Sequence, residues 1–314
     1  MRAGMRSLIP LYLLADLALA TTSAKRGLCY VSTDHEADDN IWDNSTSDLT
    51  WYYNYGASPE AEYDGTDLEF VPMLWGAPSN PTTDMTFYNT VKGLIEGGQN
   101  ITYVLGFNEP DGCTSGGSCV DAETAAQVWK TQMEPLKKAY GVKLGAPAVT
   151  GATTGFTWLQ NFFTQCAALS SNGTSCEVDF IPVHWYGDFQ GLASHLGQVN
   201  GTYQNISAMW VTEYAYPDGS LEDSQDFYNT SAEYFDRLSY ITRYSYFGAF
   251  RSSVSNVGAN AAMLDQNGKL TDIGSWYLGG SATGNVPKAS SAGTVAKTAG
   301  WSAFVFAVAM WSYL

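Results

Sequence analysis

Tyr103-Val104-Leu105-Gly106-Phe107-Asn108 is a short run, apolar almost to its end, that stops on the polar pair Glu109-Pro110. It is too short for a helix and lacks the alternation of a half-exposed strand, so it reads as a strand covered on both faces. Seven further runs resemble it, at 26–32, 50–56, 70–76, 142–149, 178–187, 208–214 and 243–250. Between most of them, 89–97, 122–140, 156–168, 195–199 and 226–240 show helical spacing or composition. Eight buried strands with helices between them predict an α/β protein, a single (β/α)8 TIM barrel. Its expected span is 27–279, and the 252 residues from Gly27 to Leu278 match a barrel of ~250 residues.

Polar residues at the C-terminal strand ends matter most in such a barrel, because active sites are built there. The fourth run delivers Glu109 to that rim, and the seventh, Trp210-Val211-Thr212-Glu213-Tyr214, delivers Glu213. A single Glu at a strand end is usually solvated or paired with a cation. Two on one rim, from strands four and seven, fit the pair of carboxyl groups that glycoside cleavage needs.

The two ends read as addresses. Arg2 and Arg6 precede an apolar run, 8–19, in the layout of a secretory signal peptide over 1–20. A short propeptide, 21–26, would end in the dibasic pair Lys25-Arg26. After a Ser/Gly/Ala-rich stalk, 280–290, the segment 291–314 ends in a 14-residue uncharged tail, too short to span a bilayer comfortably. With the small triplet Ser290-Ser291-Ala292 it matches a lipid-anchor signal attached at Ser290, a tail anchor or a disordered hydrophobic end being the alternatives. Six sequons, at Asn44, Asn100, Asn172, Asn200, Asn205 and Asn229, agree with export and glycosylation. Two close pairs, Cys113–Cys119 and Cys166–Cys176, are expected disulfides, which leaves Cys29 as an inert core thiol. The expected location is the cell surface or wall, reached by secretion, with membrane contact only through the lipid.

A formal charge of −16 excludes a nucleic-acid surface, which needs clustered Lys and Arg. Aromatic residues at 14% exceed what a core requires and suit stacking on sugar rings. With three His in the chain, no metal site is expected.

Several motifs sit together at the expected strand ends: Trp51-Tyr-Tyr-Asn-Tyr-Gly, Met73-Leu-Trp-Gly, Gly106-Phe-Asn-Glu-Pro-Asp, His184-Trp-Tyr-Gly, Trp210-Val-Thr-Glu and Asp272-Ile-Gly-Ser-Trp-Tyr. They resemble the fungal glycoside hydrolase catalytic-core family, carbohydrate-active family 128, within the retaining (β/α)8 glycosidases. The resemblance implies an endo-β-1,3-glucanase acting on fungal wall or storage glucan, without a cofactor and as a monomer. It further implies Glu109 as general acid/base, Glu213 as nucleophile and Asn108 as a partner of the sugar 2-hydroxyl. Tyr186 would hold the nucleophile, and His184, two residues before it on the same strand face, would orient the acid/base or substrate. Asn54, Trp75 and Tyr246 would form subsites. Glu213 is expected ionised and Glu109 protonated, separated by repulsion and unequal burial. Two alternatives keep the barrel: a β-1,3-glucan transglycosylase that remodels the wall, and a non-catalytic glucan-binding surface protein.

Overall fold

A computed structural model describes residues 23–43, 46–114 and 116–288. The signal peptide, the sequon at Asn44, the attachment site Ser290 and the segment 291–314 lie outside the described residues. A strand overlaps each of the eight expected runs: β1 (Arg26–Cys29), β2 (Trp51–Tyr53), β3 (Glu69–Phe70), β4 (Tyr103–Val104), β5 (Lys143–Leu144), β6 (Phe180–Tyr186), β7 (Ala208–Ala215) and β8 (Ile241–Tyr246). The helices are α1 (Thr86–Glu96), α2 (Ala122–Val128), α3 (Glu134–Tyr140), α4 (Thr153–Leu169), α5 (Phe189–Thr202), α6 (Leu221–Arg237) and α7 (Asp272–Tyr277). Among the described residues, no helix is long and apolar enough to cross a membrane.

Every strand ladder is parallel. One sheet runs β3-β2-β1-β8-β7-β6, and β4 pairs with β5. The first and last strands are therefore neighbours, with Gly27 beside Ser245 and Trp51. Single parallel bridges, Met73–Leu105 and Gly145–Phe180, link the two sheets on either side of the β4–β5 pair. The stretch 122–140, expected as one helix, is α2 and α3 joined by a π-helical turn, Trp129–Met133. Pro135 accounts for it: with no N–H to offer the carbonyl four residues back, the regular ladder cannot continue there.

Two apolar clusters divide the core. The larger one is shared by the helices and the strand residues facing them, among them Leu28, Tyr52, Val104, Val211, Tyr214, Tyr244 and Tyr246. The smaller one is built only from strands and their ends: Cys29, Trp51, Tyr53, Val71, Met73, Leu105, Phe180 and Trp210. Alternation along each strand sorts residues between them. At the floor of the inner cluster Arg243 pairs with Glu69 at 2.5 Å. Its guanidinium lies over the rings of Tyr103 and Trp210, 4.5 and 4.6 Å from the centroids.

Both expected disulfides form, Cys113–Cys119 and Cys166–Cys176. Of the described sequons, Asn100, Asn172, Asn200 and Asn205 are exposed and Asn229 is half-buried. Lys25 and Arg26, read from the sequence as a processing pair, are held within the fold. Lys25 Nζ donates to the terminal carbonyls of α6 at Phe235, Asp236 and Leu238. Arg26 is buried and donates to Asp48, Tyr244 and the Trp276 and Tyr277 carbonyls.

The ion pair at the floor sets a test of stability. Arg243→Ala strands the Glu69 carboxylate in an aromatic surround and is expected to cost about 3 kcal/mol. The apolar double variant Arg243→Met/Glu69→Leu is expected to cost less, because no charge is left unpaired. Urea unfolding of both measures this, and a double variant less stable than the single one contradicts it.

Candidate active site

β6 and β7 pair in register from Phe180–Ala208 to Val183–Val211, and beyond that point His184 faces Glu213, with Thr212 left over. Trp210 lies in the inner cluster, whereas Val211 and Tyr214 lie in the outer one. Strict alternation from Trp210 would send Glu213 outward, toward the helices. The extra residue reverses the parity and returns Glu213 to the inner face, a re-aiming typical of β-bulges. The Thr212 carbonyl accepts hydrogen bonds from Tyr53 Oη (2.9 Å) and Ser245 Oγ (2.5 Å), two hydroxyls from β2 and β8.

Glu109 arrives from the other side. Its φ of +40° lies in the left-handed region, where a residue with a side chain is strained. The surrounding loop imposes the conformation. Its N–H donates to Ala148 (2.7 Å), its carbonyl accepts from Gly112 (2.9 Å), and Ser118 and Val120 donate back to Asn108 and Pro110. The Cys113–Cys119 disulfide closes that loop. Just upstream, a Cβ on Gly106 would meet the Trp129 ring at 2.8 Å and the Gly145 carbonyl at 2.9 Å, so β4 approaches β5 this closely only with glycine there.

Between the two carboxyl groups stands His184, fully buried. Its Nδ1 lies 3.0 Å from Glu109 Oε1 and 3.5 Å from Glu213 Oε2. Tyr55 donates to Glu213 Oε1 (2.7 Å) and Tyr186 to Oε2 (2.6 Å). Burial alone would lower the His184 pKa, but the Glu213 and Glu109 carboxylates outweigh it and raise the group above its ordinary 6.5. Burial pushes the Glu213 carboxyl up, against the charge expected of it, and the nearby Glu109 adds to this. His184 and the two phenols oppose that shift. Both phenols, raised by burial and by neighbouring negative charge, stay as O–H donors.

Glu109, His184 and Glu213 each offer a ligand atom within 4.8 Å of the others, a spacing a metal ion would accept. The donors already present argue for another arrangement. Both Glu213 oxygens accept phenol hydrogen bonds, and the imidazole Nδ1 of His184 occupies the space between the two carboxyl groups.

Residues 27–277 match the family model described as "Glycosyl hydrolase catalytic core". The chain belongs to that family. Alkali-sensitive linkage protein 1 of Schizosaccharomyces pombe is 28% identical over 268 residues, which is 82% of this chain and 45% of that protein. The chain thus spans just under half the length of the curated relative it matches. Among solved structures, a GH128 subgroup II endo-β-1,3-glucanase from Pseudomonas viridiflava is 27% identical, with a TM-score of 0.65 over 84% of this chain and all of that one. A GH128 subgroup III curdlan-specific exo-β-1,3-glucanase from Blastomyces gilchristii, in complex with glucose, is 26% identical, with a TM-score of 0.64 over 82% of this chain and 98% of that one.

In this glycosyl hydrolase catalytic core, Glu109, His184, Tyr186 and Glu213 come together, and Asn108 lies beside them. Asn108 is buried, with Nδ2 donating to the Gly116 carbonyl and Oδ1 free of any hydrogen bond among the described residues. Trp75 is 41% exposed, and its carbonyl accepts from the Asn108 N–H (2.9 Å). Two expected subsite residues are elsewhere. Tyr246 is buried in the outer cluster, against Tyr214, Tyr228 and Tyr277, because the inward positions of β8 are Arg243 and Ser245. Asn54 spends its amide within its own loop, on Ser58, Glu60 and Gly56. Tyr55, one residue on, is the group that reaches Glu213. Tyr55 lies past the end of β2 with a φ of +62°, so a left-handed turn and not strand alternation brings it there.

The raised His184 pKa has a definite sign. Because the native value exceeds the unfolded one, the imidazole proton adds stability fully present below about pH 6.5 and lost as pH rises through the native value. Nitrogen-15 imidazole NMR is expected to show His184 titrating above 6.5, and lower in Glu213→Gln, which removes the largest of the raising charges. A value that stays or rises in Glu213→Gln would contradict this arrangement.

Proposed function

We propose that this chain is a retaining endo-β-1,3-glucanase, built on a closed (β/α)8 barrel, that cleaves fungal wall or storage glucan. The observation that carries the reading is the spacing of Glu109 and Glu213, whose nearest ligand atoms lie within 4.8 Å. Retaining glycosidases hold their carboxyl groups ~5–5.5 Å apart, whereas inverting ones need ~6.5–9.5 Å to seat a water. The two bridges flanking β4–β5 support closure of the barrel. Similarity to the Pseudomonas viridiflava endo-β-1,3-glucanase and to the Blastomyces gilchristii exo-β-1,3-glucanase supports the bond, and product analysis distinguishes the two modes.

In the proposed cycle Glu109 gives its proton to the leaving glycosidic oxygen while Glu213 attacks the anomeric carbon, forming a glycosyl ester. Glu109, now a carboxylate, takes a proton from water, which adds to the anomeric carbon and releases Glu213. Tyr55, Tyr186 and His184 favour the charged form of Glu213 that the first step needs. The unpaired Asn108 Oδ1 accepts from the sugar 2-hydroxyl, and the exposed face of Trp75 stacks on a neighbouring sugar ring. The sequence features at the two ends support export, glycosylation and a glycolipid attachment at Ser290 at the cell surface.

The test is product analysis on linear β-1,3-glucan. Wild-type protein is expected to release a ladder of internal-cleavage products whose first anomer is β by proton NMR. Glu109→Gln is expected to lose about 10²–10⁴-fold in kcat, and Glu213→Gln all measurable turnover. Glucose alone as the early product would rule out endo action, and an α anomer would rule out retention. Products longer than the substrate would mean transfer to sugar.

A further inference from the structure

Cys29, on β1, is the one cysteine of five outside a disulfide, and it is buried. It does not sit in a purely apolar surround. Its Sγ lies 3.0 Å from Tyr55 Oη and 3.2 Å from Tyr53 Oη. Tyr55 Oη is 2.7 Å from Glu213 Oε1, and Tyr53 Oη is 2.9 Å from the Thr212 carbonyl. Five polar groups thus form one chain of contacts, from the Thr212 carbonyl through Tyr53, Cys29 and Tyr55 to the Glu213 carboxylate.

The protons in this line can be placed by counting donors. Each phenol has one proton and each carboxylate or carbonyl oxygen has none. The Tyr55 proton goes to Glu213, the strongest acceptor within its reach. The Tyr53 proton goes to Thr212 or to the Cys29 sulfur. With the Tyr55 proton committed to Glu213, the 3.0 Å contact between Cys29 and Tyr55 is left for the S–H to fill, donating to the lone pairs of Tyr55. Burial, and then the Glu213 charge, push the thiol well above its ordinary range, so it keeps that proton.

We propose that Cys29 is a positioning residue: its thiol donates to the Tyr55 oxygen and fixes that phenol as a hydrogen-bond donor to Glu213. The inference rests on Glu213 being the nucleophile of the proposed reaction, but its geometry can be tested without turnover. Without the S–H, the Tyr55 oxygen loses the donor that polarises its own O–H, so its hydrogen bond to Glu213 weakens and Glu213 loses part of the support for its charge. The other titratable groups facing Glu213 are His184 and Tyr186 on β6 and Glu109 after β4, and none of them contacts Cys29 through a hydrogen bond.

Two measurements decide it. Infrared spectroscopy reads the only S–H stretch in the protein. It is expected at lower frequency than a free thiol in wild type, and shifted back up in Tyr55→Phe. An unshifted band in wild type, or one that Tyr55→Phe leaves in place, overturns the inference whatever the activity. On linear β-1,3-glucan, Cys29→Ala is expected to lose about 3–10-fold in kcat at unchanged KM and to move the acid limb of the kcat/KM profile to higher pH. Cys29→Ser, which keeps a donor, is expected to recover most of both. Equal loss in Cys29→Ala and Cys29→Ser, with no movement of the acid limb, would reduce Cys29 to packing. Absence of turnover in wild type would sink the glucanase reading, while the infrared result still stands or falls by itself.

Discussion

Thr212 occupies a position for which β6 has no counterpart, and the site depends on that mismatch. A strand offers its residues to two faces in turn, and the parity set by Trp210 would place Glu213 among the helices. One extra residue sends its carboxylate inward, where it meets His184, Tyr186, Tyr55 and Glu109. The bulge is secured from outside its own strand, since Tyr53 of β2 and Ser245 of β8 both donate to the Thr212 carbonyl. Three separate strands therefore agree on where Glu213 points.

Bringing two carboxyl groups within 4.8 Å in a buried place is opposed by desolvation and by mutual repulsion. The surroundings answer with one imidazole placed between them and with a phenol on each oxygen of Glu213. Glu109 carries a different cost, a left-handed backbone, and there the restraint is covalent as well as hydrogen-bonded, through the Cys113–Cys119 loop. Such strain is held where the surrounding structure over-determines it. At the opposite end of the strands Arg243 and Glu69 form a second, half-buried charge pair among aromatic rings.

Much of this was legible in the sequence, for definable reasons. Eight short apolar runs are what strands covered on both faces look like, and a strand overlaps each of them. Glu109 and Glu213 could be paired because each ends such a run. What failed was the aim of residues near strand ends. Tyr246 belongs to the outer cluster, and Asn54 is held by its own loop after β2, while Tyr55, in a left-handed turn, reaches Glu213. Pro135 is visible in the sequence, but the π-helical turn it imposes is a tertiary outcome. The bulge at Thr212 has no local signature, since Val-Thr-Glu-Tyr reads as an unbroken strand and the extra residue exists only relative to β6. The roles of Lys25 and Arg26 were likewise invisible, because their partners lie more than 200 residues away or across the sheet.

The central claim is that the bulge presents Glu213, and not Glu109, to the anomeric carbon. The most direct measurement is to treat the protein with a 2-deoxy-2-fluoro laminaribiosyl fluoride, whose fluorine slows breakdown of a glycosyl ester, and to map the added mass by peptide mass spectrometry. The account predicts a single disaccharide adduct on the peptide containing Trp210-Val211-Thr212-Glu213-Tyr214, localised to Glu213 and absent in Glu213→Gln. An adduct on Glu109, or no adduct while the unfluorinated substrate is turned over, would contradict it.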